Sequence, residues 1–221
     1  MLAHEMMSDV VPSLKPSDSA YRSLNWMNVF KLSHLPVVNN GVFLGLLSDE
    51  IIYDTGIFDE PIEKISDRFI NISISEYTHI FEIIDICSKY SLTAIPVVSD
   101  NKEYLGIIVL PKLIENISKI INANVIGGII VVEVHVNDYS LSQIAQIVEG
   151  NDAKILSMYV VSQPDSMRLA ITIKLNTSEL TSIIRTFERY EYDIKATFEE
   201  KDTMKEIIRE RYNSLMSYLN T

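Results

Sequence analysis

The residues able to do chemistry are few, and they do not gather. His4, His34, His79 and His135 are scattered along the chain without the close spacing that metal ligation requires. Cys87 is the sole cysteine and falls within an apolar helical stripe, where a thiol serves as packing. Glu133 and His135 lie two apart on an expected strand and share a face, but no third group joins them in sequence. No glycine-rich phosphate loop and no nucleophile elbow is present. Two short stretches combine hydroxyl and carboxylate groups: Ser48-Asp49-Glu50, and Asn137-Asp138-Tyr139-Ser140. Each precedes an apolar run with helical spacing, so a side-chain oxygen there caps a helix and an acidic first turn suits its dipole. The expected chemistry is therefore binding: no catalytic residue and no metal ligand is assigned.

The elements that hold these residues occur twice. His34-Leu35-Pro36-Val37-Val38, a turn at Asn39-Asn40-Gly41, and Val42 to Ser48 make one hairpin. Ala94-Ile95-Pro96-Val97-Val98, a turn at Ser99-Asp100-Asn101-Lys102, and Tyr104 to Val109 make the other. Their prolines are roughly 60 residues apart, the period of a repeated supersecondary unit. Asn-Gly between apolar runs predicts a tight primed turn, because both residues tolerate positive φ. Each hairpin follows a helix. Pro16-Ser17-Asp18 offers the turn and cap for the first, with Ala20, Leu24, Met27 and Phe30 at helical spacing. Ser75 is the expected cap of the second, whose Ile80, Ile83, Ile84 and Cys87 form one face. A strand is expected at Phe69–Ile72, and Pro111 sits where a closing helix begins. Each repeat thus reads as extended segment, helix, two strands, helix.

After Asn122-Ala123-Asn124 the pattern changes. Ile129–Val136 reads as a strand, Leu141–Val148 as a helix, Ile155–Val161 and Leu169–Leu175 as strands, Leu180–Tyr190 as a helix and Ile194–Phe198 as a last strand. This βαββαβ order is ferredoxin-like. Thr203 and Glu206 have capping-box spacing ahead of an apolar stripe through Ile207, Ile208, Leu215, Met216 and Leu219. The 221 residues are 47% hydrophobic and 22% charged, the balance of a folded soluble chain. A net charge of −11 argues against nucleic acid and anionic membrane as partners. A lone cysteine fits a reducing, cytoplasmic setting. No signal peptide and no bilayer-spanning stretch is expected.

Ser8-Asp9 and Ser66-Asp67 at the repeat starts, the two Pro-Val-Val strands, and Gly45 and Gly106 make residues 4–121 resemble a tandem pair of cystathionine-β-synthase (CBS) domains. Residues 127–200 resemble an ACT domain, mainly by element order. The combination resembles the acetoin-utilisation protein B type of small bacterial regulatory protein. The expected class is α+β, with CBS repeats at 1–60 and 61–124, an ACT-like domain at 125–200, and a terminal amphipathic helix at 201–221.

What the resemblance implies is a ligand-sensing regulator, not an enzyme. CBS pairs typically bind an adenine nucleotide or adenosyl compound between the copies. For the first copy that places Val11, Ser13, Leu35, Pro36, Ser48 and Asp49 at the ligand; for the second, Ile72, Ala94, Ile95, Pro96 and Lys112. In the family pattern the strand glycine is followed by a hydroxyl residue and then by an aspartate that accepts from both ribose hydroxyls. Here Ser48 keeps the hydroxyl, but Ile51 stands at the aspartate position. In the second copy Val109 and Lys112 occupy the two places. An ACT-like site for an amino acid would use Asn137, Asp138, Ser140 and Leu141, with Tyr139-Ser140 in place of the usual Pro-Gly. No cofactor is required. A homodimer, a small-molecule ligand and an unidentified protein partner are expected. The alternative is a dimeric interaction scaffold whose ligand sites have been lost.

Overall fold

Asn40 and Gly41 both have positive φ, 48° and 81°, and close a two-residue turn between β1 (His34–Asn39) and β2 (Val42–Ser48). The primed turn expected from Asn-Gly is therefore formed, and its twist matches that of the paired strands. The protein is described by a computed structural model covering residues 1–8, 10–162 and 166–199. Two units are distinguished, with the boundary between Ile117 and Ser118.

In the first unit, α1 (Ala20–Phe30) precedes the β1–β2 hairpin and α2 (Asp49–Thr55) follows it. The second repeat runs β3 (Ile74–Ser75), α3 (Ile80–Lys89), β4 (Ala94–Val98), β5 (Tyr104–Val109) and α4 (Leu110–Ile120). Three local expectations are corrected. The cap of α1 is Ser19, whose hydroxyl accepts from Arg22 N at 3.3 Å, whereas Asp18 accepts from Lys15 N one turn earlier. The cap of α3 is His79, because Ser75 is held in β3 and its hydroxyl accepts from Tyr77 N. Phe69–Ile72 is not a continuous strand: Ile70 makes an isolated antiparallel bridge to Leu46, and the paired strand is Ile74–Ser75.

That bridge belongs to an exchange between the repeats. The extended start of each copy packs on the other copy. Ser8 bridges Ile107 in β5, while Ala3 N and His4 N donate to Thr78 O and Glu76 O. Conversely, Ile62 N donates to Asp18 O and Ala20 N to Glu60 O. The cores follow suit. Ala3 and Met6 join Ile80, Ile83, Cys87, Ile95 and Leu113; Ile62 and Ile65 join Ala20, Met27, Leu35 and Ile52. Side-chain alternation along each second hairpin strand completes the exchange. Leu47 faces its own core and Leu46 the other; Ile108 faces its own and Ile107 the other. Full burial of each such side chain contributes about 1.5–3 kcal/mol, so neither repeat's core is complete alone.

The second unit runs β6 (Gly128–His135), α5 (Leu141–Glu149), β7 (Ile155–Ser162), β8 (Arg168–Leu175), α6 (Thr181–Arg189) and β9 (Asp193–Glu199). Its antiparallel sheet has the order β7-β8-β6-β9, the ferredoxin-like arrangement of a βαββαβ chain. Ile130, Val132 and Val134 of β6 and Ile171, Ile173 and Leu175 of β8 pack against Ile144, Ile147, Val148, Ile183 and Phe187 of the two helices. Period-two alternation therefore turns Glu133 and His135 to the opposite face. The apolar stripe from Ile207 to Leu219 lies outside the described residues. No helix among the described residues is long and apolar enough to cross a membrane.

Candidate functional site

Polar groups meet between the two repeats at the hairpin starts. Ser33 N donates to Thr93 Oγ1 at 3.0 Å, His34 Nδ1 lies 3.1 Å from the same hydroxyl, and Thr93 N donates to His34 Nδ1 at 3.4 Å. Ser33 and Thr93 occupy matching repeat positions. Ser33 O accepts from Asp49 N, and Thr93 O accepts from Leu110 N, so each hairpin is tied to its following helix in the same way. Burial holds the His34 pKa below its ordinary value, opposed by Asp49 and Glu50. The neutral ring suits an Nδ1 that accepts both protein donors.

Two depressions also match by repeat. One, about 460 Å³, is lined on α1 and α2 by residues including Asn25, Asn28, Lys31, Asp49 and Tyr53. Its counterpart on α3 and α4, about 320 Å³, is lined by Ile84, Cys87, Leu92, Leu110, Leu113 and Ile117 with a few small hydroxyl residues. Of the two depressions, the first copy's alone carries amide and charged side chains. Burial pushes the Cys87 thiol up to about 11, so it stays protonated and unreactive.

The second unit holds a cavity of about 420 Å³ at one end of its sheet. Glu133, Val134 and His135 enter it from β6, Asp138 from the 3-10 turn that follows β6, Gln143 from the first turn of α5, Arg168 from β8, and Tyr190 to Asp193 from the turn into β9. Sequence reasoning identified the shared face of Glu133 and His135; the other walls come from strands and turns far away in the chain. Arg168 Nη1 donates to Glu133 Oε1 at 2.7 Å, and Lys195 Nζ lies 2.7 Å from Asp193 Oδ2 and 3.4 Å from Glu133 Oε1. Hydrogen bonding by Arg168 and then Lys195 holds the Glu133 carboxyl below its usual range, and the Lys195 bond does the same for Asp193. Tyr192 is buried and its hydroxyl donates to Gln143 Oε1 at 2.9 Å. Among the described residues, no group of three or more His, Cys, Asp or Glu is arranged to hold a metal ion.

The family model of the CBS domain matches residues 62–119. No curated protein matches the chain. Among solved structures it is similar to a CBS domain pair/ACT domain protein from Thermotoga maritima: 16% identity, 54% of this chain and 98% of that one covered, TM-score 0.48. A Vibrio cholerae protein provisionally described as acetoin utilization protein AcuB shares 16% identity over 56% of this chain and 95% of that one, TM-score 0.48. CBSX2, solved in complex with AMP, shares 17% identity over 54% of this chain and 97% of its own, TM-score 0.45.

Within the two repeats of the first unit, the nucleotide-site residues expected from sequence are divided between the two cores. Val11, Leu35 and Ala94 are buried in one core, while Ile95, with half-buried Ile72 against it, lies in the other. Pro36 and Pro96 are buried in β1 and β4, and Pro36 O accepts from Leu14 N. Ser13 is half-buried. The buried Ser48 hydroxyl accepts from Ile51 N at 3.2 Å, the capping role that its position suggested. Asp49 is half-buried beside the polar depression. Lys112 Nζ pairs with Glu115 Oε2 at 2.9 Å on a solvent-facing turn of α4. In the second unit, Ser140 caps α5 by accepting from Gln143 N, Asn137 and Leu141 are exposed, and Asp138 alone of the four lines the cavity.

Proposed function

We propose that the protein is a non-catalytic, ligand-sensing regulator in which the paired repeats bind an adenine nucleotide or adenosyl compound. The observation that carries this reading is the CBS match over residues 62–119, preceded one period earlier by the same order of helix, hairpin and helix. The exchanged start segments add a mechanism. A ligand that orders one repeat's start segment also changes the other repeat's core, so binding biases the whole unit. The ferredoxin-like unit then acts as an ACT-like coupling domain, as in acetoin-utilisation protein B type regulators. A cytoplasmic homodimer acting on a protein partner completes the proposal.

A second reading has its own support. Ser48 spends its hydroxyl on Ile51 N, and neither copy places a carboxylate at the expected ribose position. An interaction scaffold with lost ligand sites would show these features. Acid extraction of the purified protein, followed by thermal melting with AMP, ATP, S-adenosylmethionine and GTP, separates the two. A co-purified adenine compound, or a melting rise of several degrees with adenine ligands and not with GTP, supports the sensor. No extracted ligand and no shift with any of the four supports the scaffold.

A further inference from the structure

The two helices of the second unit cover one face of its sheet, and the opposite face is apolar as well. Register sets Ile129 beside Phe198 and Val131 beside Ala196, and runs on from Val131 through Thr172 to Tyr159. These side chains alternate with the core-facing Ile130, Val132, Ile171 and Ile173 and so point away from the helices. Phe198 is 58% exposed, Tyr159 38%, and Ile129 and Val131 are half-buried. The open face of an antiparallel sheet ordinarily alternates to polar residues; this one does so only at the end away from Phe198, where Glu133, Arg168 and Lys195 are held in their own ion pairs.

The chain itself supplies a cover. Glu199 ends β9 and, with Ile129, Lys174 and Phe198, lines a depression of about 310 Å³ on this side of the sheet. Residues 200–221 leave the sheet from that point. Met204, Ile208, Leu215 and Leu219 recur among them at helical spacing. A helix over residues 203–219 is roughly 25 Å long, the length of an eight-residue strand at roughly 26 Å. A segment tethered this closely meets the face at an effective concentration in the millimolar range, which favours it over a free partner. We propose that residues 203–219 dock as an amphipathic helix on the open sheet face of their own chain, with Met204, Ile208, Leu215 and Leu219 against Ile129, Val131, Tyr159 and Phe198. The proposal is independent of the adenine-ligand reading, since it lies wholly within the second unit.

Methyl-labelled full-length protein tests it by NMR. Nuclear Overhauser contacts are expected from the Ile208, Leu215 and Leu219 methyls to those of Ile129 and Val131. A filtered experiment on a mixture of labelled and unlabelled chains should show none of these contacts between chains. The paired substitution Ile208→Asp and Leu215→Asp should abolish the contacts and shift the Ile129 and Val131 methyls, leaving Ile144, Ile147 and Ile183 on the helix side unmoved. Absence of the contacts in wild type overturns the proposal, as does their appearance between chains, which would assign the face to a second copy. Unmoved Ile129 and Val131 methyls in the folded double variant also overturn it. If that variant does not fold, the wild-type contacts decide alone.

Discussion

A Cβ placed on Gly45 would lie 2.7 Å from Cβ of Phe69. Gly45 sits in the first repeat's hairpin with φ of 153°, and Phe69 belongs to the start segment of the second repeat. The missing side chain is therefore what allows the exchanged segment to reach its bridge with Leu46. Gly106 plays the matching part toward Met7, but there the approach is 3.4 Å and onto a flexible side chain.

Gly45→Ala should therefore destabilise the first unit by at least about 2 kcal/mol, from overpacking against backbone-proximal atoms and an unfavourable φ. Gly106→Ala should cost less than about 1 kcal/mol, because Met7 can shift. Urea unfolding of both variants measures the difference. Equal costs would mean that the two repeats do not exchange segments in the asymmetric way described.

His34 gives the first unit a pH dependence. Its folded-state pKa is depressed below the ordinary 6.5, so folding favours the neutral ring. The resulting stability is present above pH 6.5 and is lost as pH falls through the folded value. Protonation also removes the Nδ1 acceptor that Thr93 N uses. His34→Gln should flatten this part of the stability–pH curve; an unchanged slope between pH 7 and pH 5 would contradict the assignment.

In the second unit the Glu133 carboxyl should titrate below the ordinary glutamate value and the Asp193 carboxyl below the ordinary aspartate value, as read by carbon-detected NMR. Arg168→Met should raise Glu133 more than Asp193, since Arg168 Nη1 is 2.7 Å from the first and 3.9 Å from the second. The opposite order would show that Lys195, not Arg168, dominates the cluster.

Light scattering tests the dimer. A dimer mass throughout the micromolar range is expected; a monomer mass across that range contradicts it.

Local patterns in the sequence reveal most of the elements but not how the repeats exchange parts. Asn40-Gly41, the Ile80–Ile83–Cys87 stripe and the alternation in Ile129–Val136 each encode their element within a few residues, and each is found as expected. The destination of Ala3, Met6, Ile62 and Ile65 is not local. An apolar residue states that it will be buried, not in which of two similar cores. The caps show the same limit on a smaller scale: Ser75 is a better capping residue than His79, but β3 pairing with β4 takes it out of position. The cavity in the second unit was half legible, because strand alternation pairs Glu133 with His135, whereas Arg168 and Tyr192 are brought in by sheet order.

The central proposal, that the first unit binds an adenine ligand although Ile51 and Lys112 stand at the two positions where the family pattern has the ribose-binding aspartate, is tested most directly by titration calorimetry of ATP and adenosine on the wild type and Lys112→Asp. With Ile51 unable to receive a ribose hydroxyl and Lys112 able to meet a phosphate, wild type should bind ATP weakly and adenosine more weakly still. Lys112→Asp should bind adenosine more tightly, while its ATP affinity gains less or falls. Equal binding of ATP and adenosine by wild type below about 1 μM, equivalent to about −8.2 kcal/mol, would contradict the account.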